Sequence, residues 1–469
     1  MRQLFLILSV TFAALAQGLP DTKAGQGLRA WLDAFNSGNR DKVLAYFDKY
    51  APADRGHLDD LLGFREQTGG FEFIRVEKSE PLHIEALVKE REGSHYAVLK
   101  MDVTDGMPFT VKSVGANIVP APAGLPQAER LTLPEAVRAL DAKAAELSAK
   151  DQFSGAVLVA SGGKIEFEKA YGLADRGKRV ANTVNTQFRV GSMNKMFTAT
   201  AILKLAGEGK IDLAAPLGKY IPDYPDRDIA TKVTIRHLLT HTGGTGDIFT
   251  PEYEQHRLGI RQLSDYVKLF GTRGPEFEPG SKWAYSNYGF VLLGNVIEHV
   301  SGMSYYDYVR KNIFIPAGMT STDSLPEEEK VAARSTGYMK KNGAWTSNSD
   351  TLPWRGSSAG GGYSTVEDLF RFARALSSGK LISPELFAQM TTKQATPPGA
   401  PPSAGYGFGM MVHEEPQGKR FGHGGGAPGM NGELYVFPQS GTIVVVLANL
   451  DPPAASRLAE FFDERMPLK

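Results

Sequence analysis

Gly191-Ser192-Met193-Asn194-Lys195-Met196-Phe197 places a Ser-x-x-Lys pair directly ahead of an apolar run, Ala201, Ile202 and Leu205, which Gly207 and Gly209 close. The spacing predicts a helix with Ser192 at its N-terminus and Lys195 one turn on, facing the same way. A serine hydroxyl is a weak nucleophile until a base takes its proton, and an amine three residues along can reach it. The helix N-terminus adds unpaired N–H groups and a positive dipole end, which favour negative charge developing there. Two other copies of the pattern have plainer readings. Ser161-Gly162-Gly163-Lys164 reads as a hairpin turn, and Ser377-Ser378-Gly379-Lys380 as a helix C-terminus with a glycine cap. On this motif alone, a capping Ser192 with a solvated Lys195 stays an equal alternative.

Two further stretches lie outward from it. Glu278-Pro279-Gly280-Ser281-Lys282-Trp283-Ala284-Tyr285-Ser286-Asn287 leads into an apolar helix, Val291 to Val300. Phe421-Gly422-His423-Gly424-Gly425-Gly426 reads as a strand too poor in side chains to pack well, as expected where a ligand approaches the backbone. Ser-x-x-Lys, Tyr-Ser-Asn and His-Gly-Gly in this order resemble the penicillin-recognising serine hydrolases. That group takes in class C β-lactamases, D-alanyl-D-alanine carboxypeptidases and β-lactamase-like esterases. The likeness runs from about Leu131 to the C-terminus. It includes Phe188-Arg189-Val190-Gly191, Leu238-Leu239-Thr240-His241-Thr242-Gly243-Gly244 and Gly360-Gly361-Gly362-Tyr363-Ser364-Thr365.

The resemblance implies a hydrolase that cleaves an ester or amide of a small-molecule or peptide substrate through an acyl-enzyme, without cofactor or metal. Ser192 would be the acylated nucleophile and Lys195 and Tyr285 its proton-transfer pair. Asn287 would hydrogen-bond Lys195 or the substrate's acyl amide, His423, Gly424 and Gly425 would bind substrate, and the N–H groups of Ser192 and Gly426 would form the oxyanion hole. Which of the pair is the base stays open, since a tyrosine near 10 and a lysine near 10.4 lie equally far from neutrality. The third motif departs from the commoner Lys-Thr-Gly or His-Thr-Gly at Gly424, which has no hydroxyl to hold a substrate carboxylate. His423 is only partly cationic at an unperturbed value near 6.5. Weak β-lactamase and carboxypeptidase activity, relative to hydrolysis of neutral esters or amides, is therefore expected. The alternative is a non-catalytic peptide- or cell-wall-binding protein on the same fold.

Around this core the chain reads as α+β. Strand signals at Ala156–Ser161, Ile165–Ala170, Leu434–Phe437 and Thr442–Ala448, with helices at Leu133–Leu147 and Arg457–Phe462, predict one antiparallel sheet closed by the two ends of residues 131–469. A helical insert would separate them. Val119-Pro120-Ala121-Pro122-Ala123-Gly124-Leu125-Pro126 opens a linker over 119–130. Before it, 20–118 read as helices Leu28–Phe35 and Val43–Tyr50, broken at Ser37-Gly38-Asn39, then strands Leu82–Lys89, Tyr96–Val103 and Phe109–Ile118. This order resembles the SnoaL-like, cone-shaped α+β domains and implies an accessory or binding role. Residues 1–16 read as a signal peptide: Arg2, an apolar stretch Leu4–Leu15, and Ala14-Leu15-Ala16 as the cleavage site. A periplasmic or extracellular location follows, with no membrane span left after cleavage.

Composition excludes other classes. Lys+Arg and Asp+Glu both number 52, so no basic surplus marks a nucleic-acid binder. The absence of Cys removes disulfides, thiolate nucleophiles and Cys-ligated zinc. Gly356-Ser357-Ser358-Ala359-Gly360 matches a G-x-S-x-G elbow, but Pro353 and Trp354 ahead and glycines behind deny it the strand–turn–helix it needs, leaving a cleft-lining loop. His237 and His241 have the i, i+4 spacing of two metal ligands, yet Gly243-Gly244 ends that helix and structural hydrogen bonding is the better expectation.

Overall fold

The computed structural model describes residues 18–341, 343–415 and 418–467. The signal segment expected over 1–16 lies outside them. The chain divides into two compact units, Met1–Ala128 and Glu129–Lys469.

In the first unit, Thr22 caps helix α1 (Lys23–Ser37), and Gly38 ends it in the left-handed conformation at φ 59°. Asn39 then caps α2 (Arg40–Tyr50), so the predicted break is a stop signal followed by a start signal. After α3 (Leu58–Thr68) come β1 (Phe71–Ser79), β2 (His83–Glu90), β3 (Tyr96–Val103) and β4 (Val111–Val119) in an antiparallel meander. Leu28, Trp31 and Phe35 of α1 share one core with Ile84, Leu99 and Met101 of the sheet. The sequence reading missed α3 and β1. Helix α3 buries only Leu58 and Thr68, so it carries no apolar stripe to read.

The second unit opens with α4 (Leu133–Ala149), β5 (Gly155–Ser161) and β6 (Lys164–Tyr171). Helices follow, among them α5 (Asn194–Gly207), α6 (Ile235–Leu239), α7 (Asn287–Ser301) and α8 (Val366–Ser377). The chain returns through β7 (Ala404–Tyr406), β8 (Met411–Glu415), β9 (Gly418–Ala427), β10 (Met430–Phe437), β11 (Thr442–Ala448) and α9 (Ser456–Asp463). The sheet order is β7-β8-β9-β10-β11-β5-β6, antiparallel at every step. Strand β11 pairs with β5 from Ile443↔Ala160 to Ala448↔Gly155, which closes the sheet with the two ends of the unit as expected. Alternation along β5 sends Val157 and Val159 to a core with α4 and α9, and Ala156, Leu158 and Ala160 to the core of the helical insert. The site lies on that second face.

One register feature matters for chemistry. Strand β9 pairs with β10 as far as Ala427, but with β8 only up to Gly422. Among the described residues, the backbone from His423 to Ala427 therefore keeps one edge free.

Candidate active site

Ser192 occupies a single 3-10 turn, Gly191–Met193, that runs directly into α5. Gly191 sits at φ 52°, and its carbonyl accepts the Gly361 N–H at 3.2 Å. A Cβ on Gly191 would lie 3.2 Å from the Gly426 nitrogen, so the serine turn and β9 nearly touch. Pro428-Gly429 is a two-residue turn closing on the Ala427↔Met430 pair. By the alternation of an antiparallel ladder, Gly426, opposite Asn431, then points its N–H away from β10 and towards the free edge.

Lys195, the second residue of α5 and one turn on from Ser192, has no exposed surface. Its Nζ is 2.7 Å from Asn287 Oδ1, 2.6 Å from the Ala359 carbonyl and 3.2 Å from Ser192 Oγ. Burial pulls the amine down to about 7, against an opposing pull from the Asp247 carboxylate. Tyr285 hydrogen-bonds Ser192, and its ring lies 4.7 Å from Lys195 Nζ. Burial pushes the phenol well above its ordinary value, so its phenolate form is disfavoured here.

Asn287 is the first residue of α7, and Ser286 caps that helix by accepting the Gly289 N–H. The Ser286 hydroxyl also donates to the Gly246 carbonyl at 2.5 Å. This ties α7 to the loop that carries Asp247, whose two carboxylate oxygens each lie 3.1 Å from Asn287 Nδ2.

His423 sits on the Ser192 side of β9, fully enclosed. Its Nδ1 is 2.5 Å from the Gly424 carbonyl and its Nε2 is 3.1 Å from the Tyr406 hydroxyl. Burial, reinforced by the Lys195 charge, pulls it down to about 4. The partly cationic histidine expected from the sequence is therefore corrected to a neutral one. Gly425 shares that face, and a Cβ there would stand 1.9 Å from the Val190 carbonyl. Gly424 faces the opposite side, where a Cβ would meet the Glu433 carboxylate at 2.3 Å. Its contribution to the free edge is backbone only.

The rival motifs resolve into supports. In 356–360, the carbonyls of Ser357, Ser358 and Ala359 accept from Asn194, Thr198 and Lys195, and Ser358 Oγ donates to the Phe290 carbonyl. This is a buried loop clamping α5. His237 forms a reciprocal cap with Thr234. His241 has left the helix at φ 58°, and its Nδ1 accepts the Ser286 N–H while its ring packs 4.3 Å from that of Tyr285. No cluster of metal-binding side chains forms among the described residues, and no described helix is long and apolar enough to cross a membrane.

The sequence reading missed Asp247, Ala359 and Tyr406 as neighbours of the site. Asp247 stands three residues past the quoted Gly243-Gly244, yet a single acid in a loop carries no spacing signal.

The beta-lactamase family model matches residues 140–464. Penicillin-binding protein 4* of Bacillus subtilis (strain 168) is 31% identical over 321 residues, covering 65% of this chain and 69% of that protein. The crystal structure of a penicillin-binding protein from Bacillus halodurans shares 32% identity at a TM-score of 0.62, over 67% of this chain and 98% of that one. A D-stereospecific amidohydrolase from Streptomyces sp. shares 30% identity at a TM-score of 0.59, over 69% of this chain and 97% of that one. With its antiparallel sheet, helical insert and this match over more than half its length, the chain belongs to the beta-lactamase family.

Proposed function

We propose that this protein is an exported serine acyl hydrolase that cleaves neutral esters or amides through an acyl-enzyme on Ser192. The observation that carries the reading is the setting of Lys195, buried with two carbonyl acceptors and the Ser192 hydroxyl around one amine. Two N–H groups of a neutral amine satisfy the carbonyls, and the lone pair faces Ser192 Oγ. An amine near 7 is in that form about half the time at neutral pH, while the phenol of Tyr285 keeps its proton, so Lys195 is the base and Tyr285 the relay.

Ser192 Oγ attacks the acyl carbon as its proton passes to Lys195. The tetrahedral oxyanion is received by the N–H groups of Ser192 and Gly426, each such donor supporting about 3 kcal/mol of transition-state stabilisation. The leaving oxygen or nitrogen takes a proton from the Tyr285 hydroxyl, which Lys195 replenishes. Water then attacks the ester on Ser192, losing its proton to Lys195, and as the C–Oγ bond breaks Ser192 Oγ takes that proton back and the acid is released. Substrate lies along the free edge of β9, where a neutral His423 and a side-chain-less Gly424 offer no charge or hydroxyl to a carboxylate. Residues 20–118 are read as a SnoaL-like accessory unit, 119–130 as its linker and 1–16 as the export signal.

Intact-mass spectrometry after treatment with a fluorophosphonate should show one adduct in the wild type and none in Ser192→Ala, which should also lose turnover of a short-chain p-nitrophenyl ester. The ester should be preferred to nitrocefin. An unmodified, folded wild type, or a large preference for nitrocefin, would overturn the reading.

A further inference from the structure

Asp247 is a carboxylate one residue removed from the catalytic amine, and the reaction as described does not use it. It stands in a loop held at both ends of its polar backbone. The Gly246 carbonyl accepts from Ser286 Oγ at 2.5 Å and the Asp247 carbonyl from Arg273 Nη1 at 3.0 Å. The carboxylate accepts the Ile248 N–H at 2.6 Å and faces Asn287 Nδ2 with both oxygens at 3.1 Å. Among the described residues, no Lys or Arg nitrogen pairs with it.

An asparagine amide has two orientations, with oxygen and nitrogen exchanged. Here the oxygen meets the Lys195 amine at 2.7 Å and the nitrogen meets a carboxylate. Turned over, the oxygen would face the Asp247 anion and the N–H groups would face those of Lys195, so two attractive contacts become two repulsive ones. Among the described residues, no other side-chain hydrogen bond to Asn287 imposes that choice. Resting on the reading of Lys195 as the base, we infer that Asp247 is a positioning residue: it locks the Asn287 amide so that its oxygen, and not its nitrogen, faces Lys195. The same carboxylate also places a negative charge near the amine, which favours its protonated state.

The other titratable groups around Lys195 do not supply that charge. Ser192 and Tyr285 are neutral, Tyr406 is held neutral by burial, and His241 and His423 are both pulled down by burial and by the lysine itself. Among the described residues, Asp247 is the anion that acts on Lys195.

Two variants separate orientation from charge. In Asp247→Ala both are lost: kcat should fall about 10-fold or more with KM little changed, as for loss of a residue that orients a catalytic group. The acid limb of the pH–kcat/KM profile should move down by about half a pH unit, because the ammonium has lost its anion. Asp247→Asn keeps an acceptor for Nδ2 without the charge, so it should recover most of kcat while retaining the shifted limb. Adduct formation by the wild type is measured first. A wild type without adduct fails the hydrolase reading, and a 13C NMR titration of the Lys195 ε-carbon then reads the same downward shift in the Asp247 variants without turnover. Wild-type kcat and an unmoved limb in Asp247→Ala, or a loss of activity that follows thermal stability with the titration in place, overturns the inference.

Discussion

A neutral amine has two N–H groups and one lone pair, and Lys195 is offered two carbonyl oxygens and one hydroxyl. Below its pKa the third direction becomes another N–H, and Ser192 faces a donor where it needs an acceptor. Activity is therefore present above about pH 7 and lost as pH falls through that value. Measured as kcat/KM on a p-nitrophenyl ester from pH 5 to 9, the rate should drop about tenfold per unit on the acid side. A profile flat through neutrality contradicts a lysine base. Lys195→Arg should lose activity by about 10^3-fold at every pH in that range, because a guanidinium does not deprotonate. The sequence pointed to Lys195 by its spacing from Ser192 alone. Which of Lys195 and Tyr285 is proposed as the base was not legible there, since the two unperturbed pKa values are nearly equal and burial is what parts them.

Strand β9 is the element whose chemistry depends most on what it lacks. A Cβ at Gly425 would meet the Val190 carbonyl at 1.9 Å, a rigid backbone atom in the lead-in to the serine turn. At Gly424 it would meet the carboxylate end of a side chain, which can turn aside. Gly425→Ala should push the strand off Ser192 and cost about 100-fold in kcat, the order expected of a displacement near 1 Å, with the far-UV circular dichroism unchanged. Gly424→Ala should be markedly milder. Equal losses in the two would mean that close approach to the serine turn is not what Gly425 provides. That the strand was glycine-rich, and so approachable, could be read from Phe421 to Gly426. Which glycine faces the serine could not, because that depends on register with β10. Elsewhere, strong periodicity made α1, α4, β5 and β11 legible within a few residues, whereas α3 and the short β7 and β8 carry too little apolar pattern to be seen.

The two units each have their own core, one around Trp31, Phe35 and Leu99 and the other spread over both faces of the seven-stranded sheet. Every side chain placed at the site belongs to the second. A fragment spanning 129–469 should therefore fold and hydrolyse the ester with kcat within about threefold of the full chain, as separate cores make independent contributions. A fragment that folds by circular dichroism but is inactive would show that the first unit takes part in the chemistry. The sequence by itself determined the strongly periodic elements, the pairing of chain ends in one sheet and the choice of Ser192 as candidate, because periodicity, turn residues and a three-residue spacing are local properties. Only the tertiary structure decided the protonation of Lys195, Tyr285 and His423, the duty of Asp247 and the aim of Gly426. Each of these depends on burial or on a partner far along the chain. Asn287, 92 residues from Lys195, and Ala359, 164 residues from it, become neighbours of that amine only when the insert packs on the sheet and water is excluded from between them.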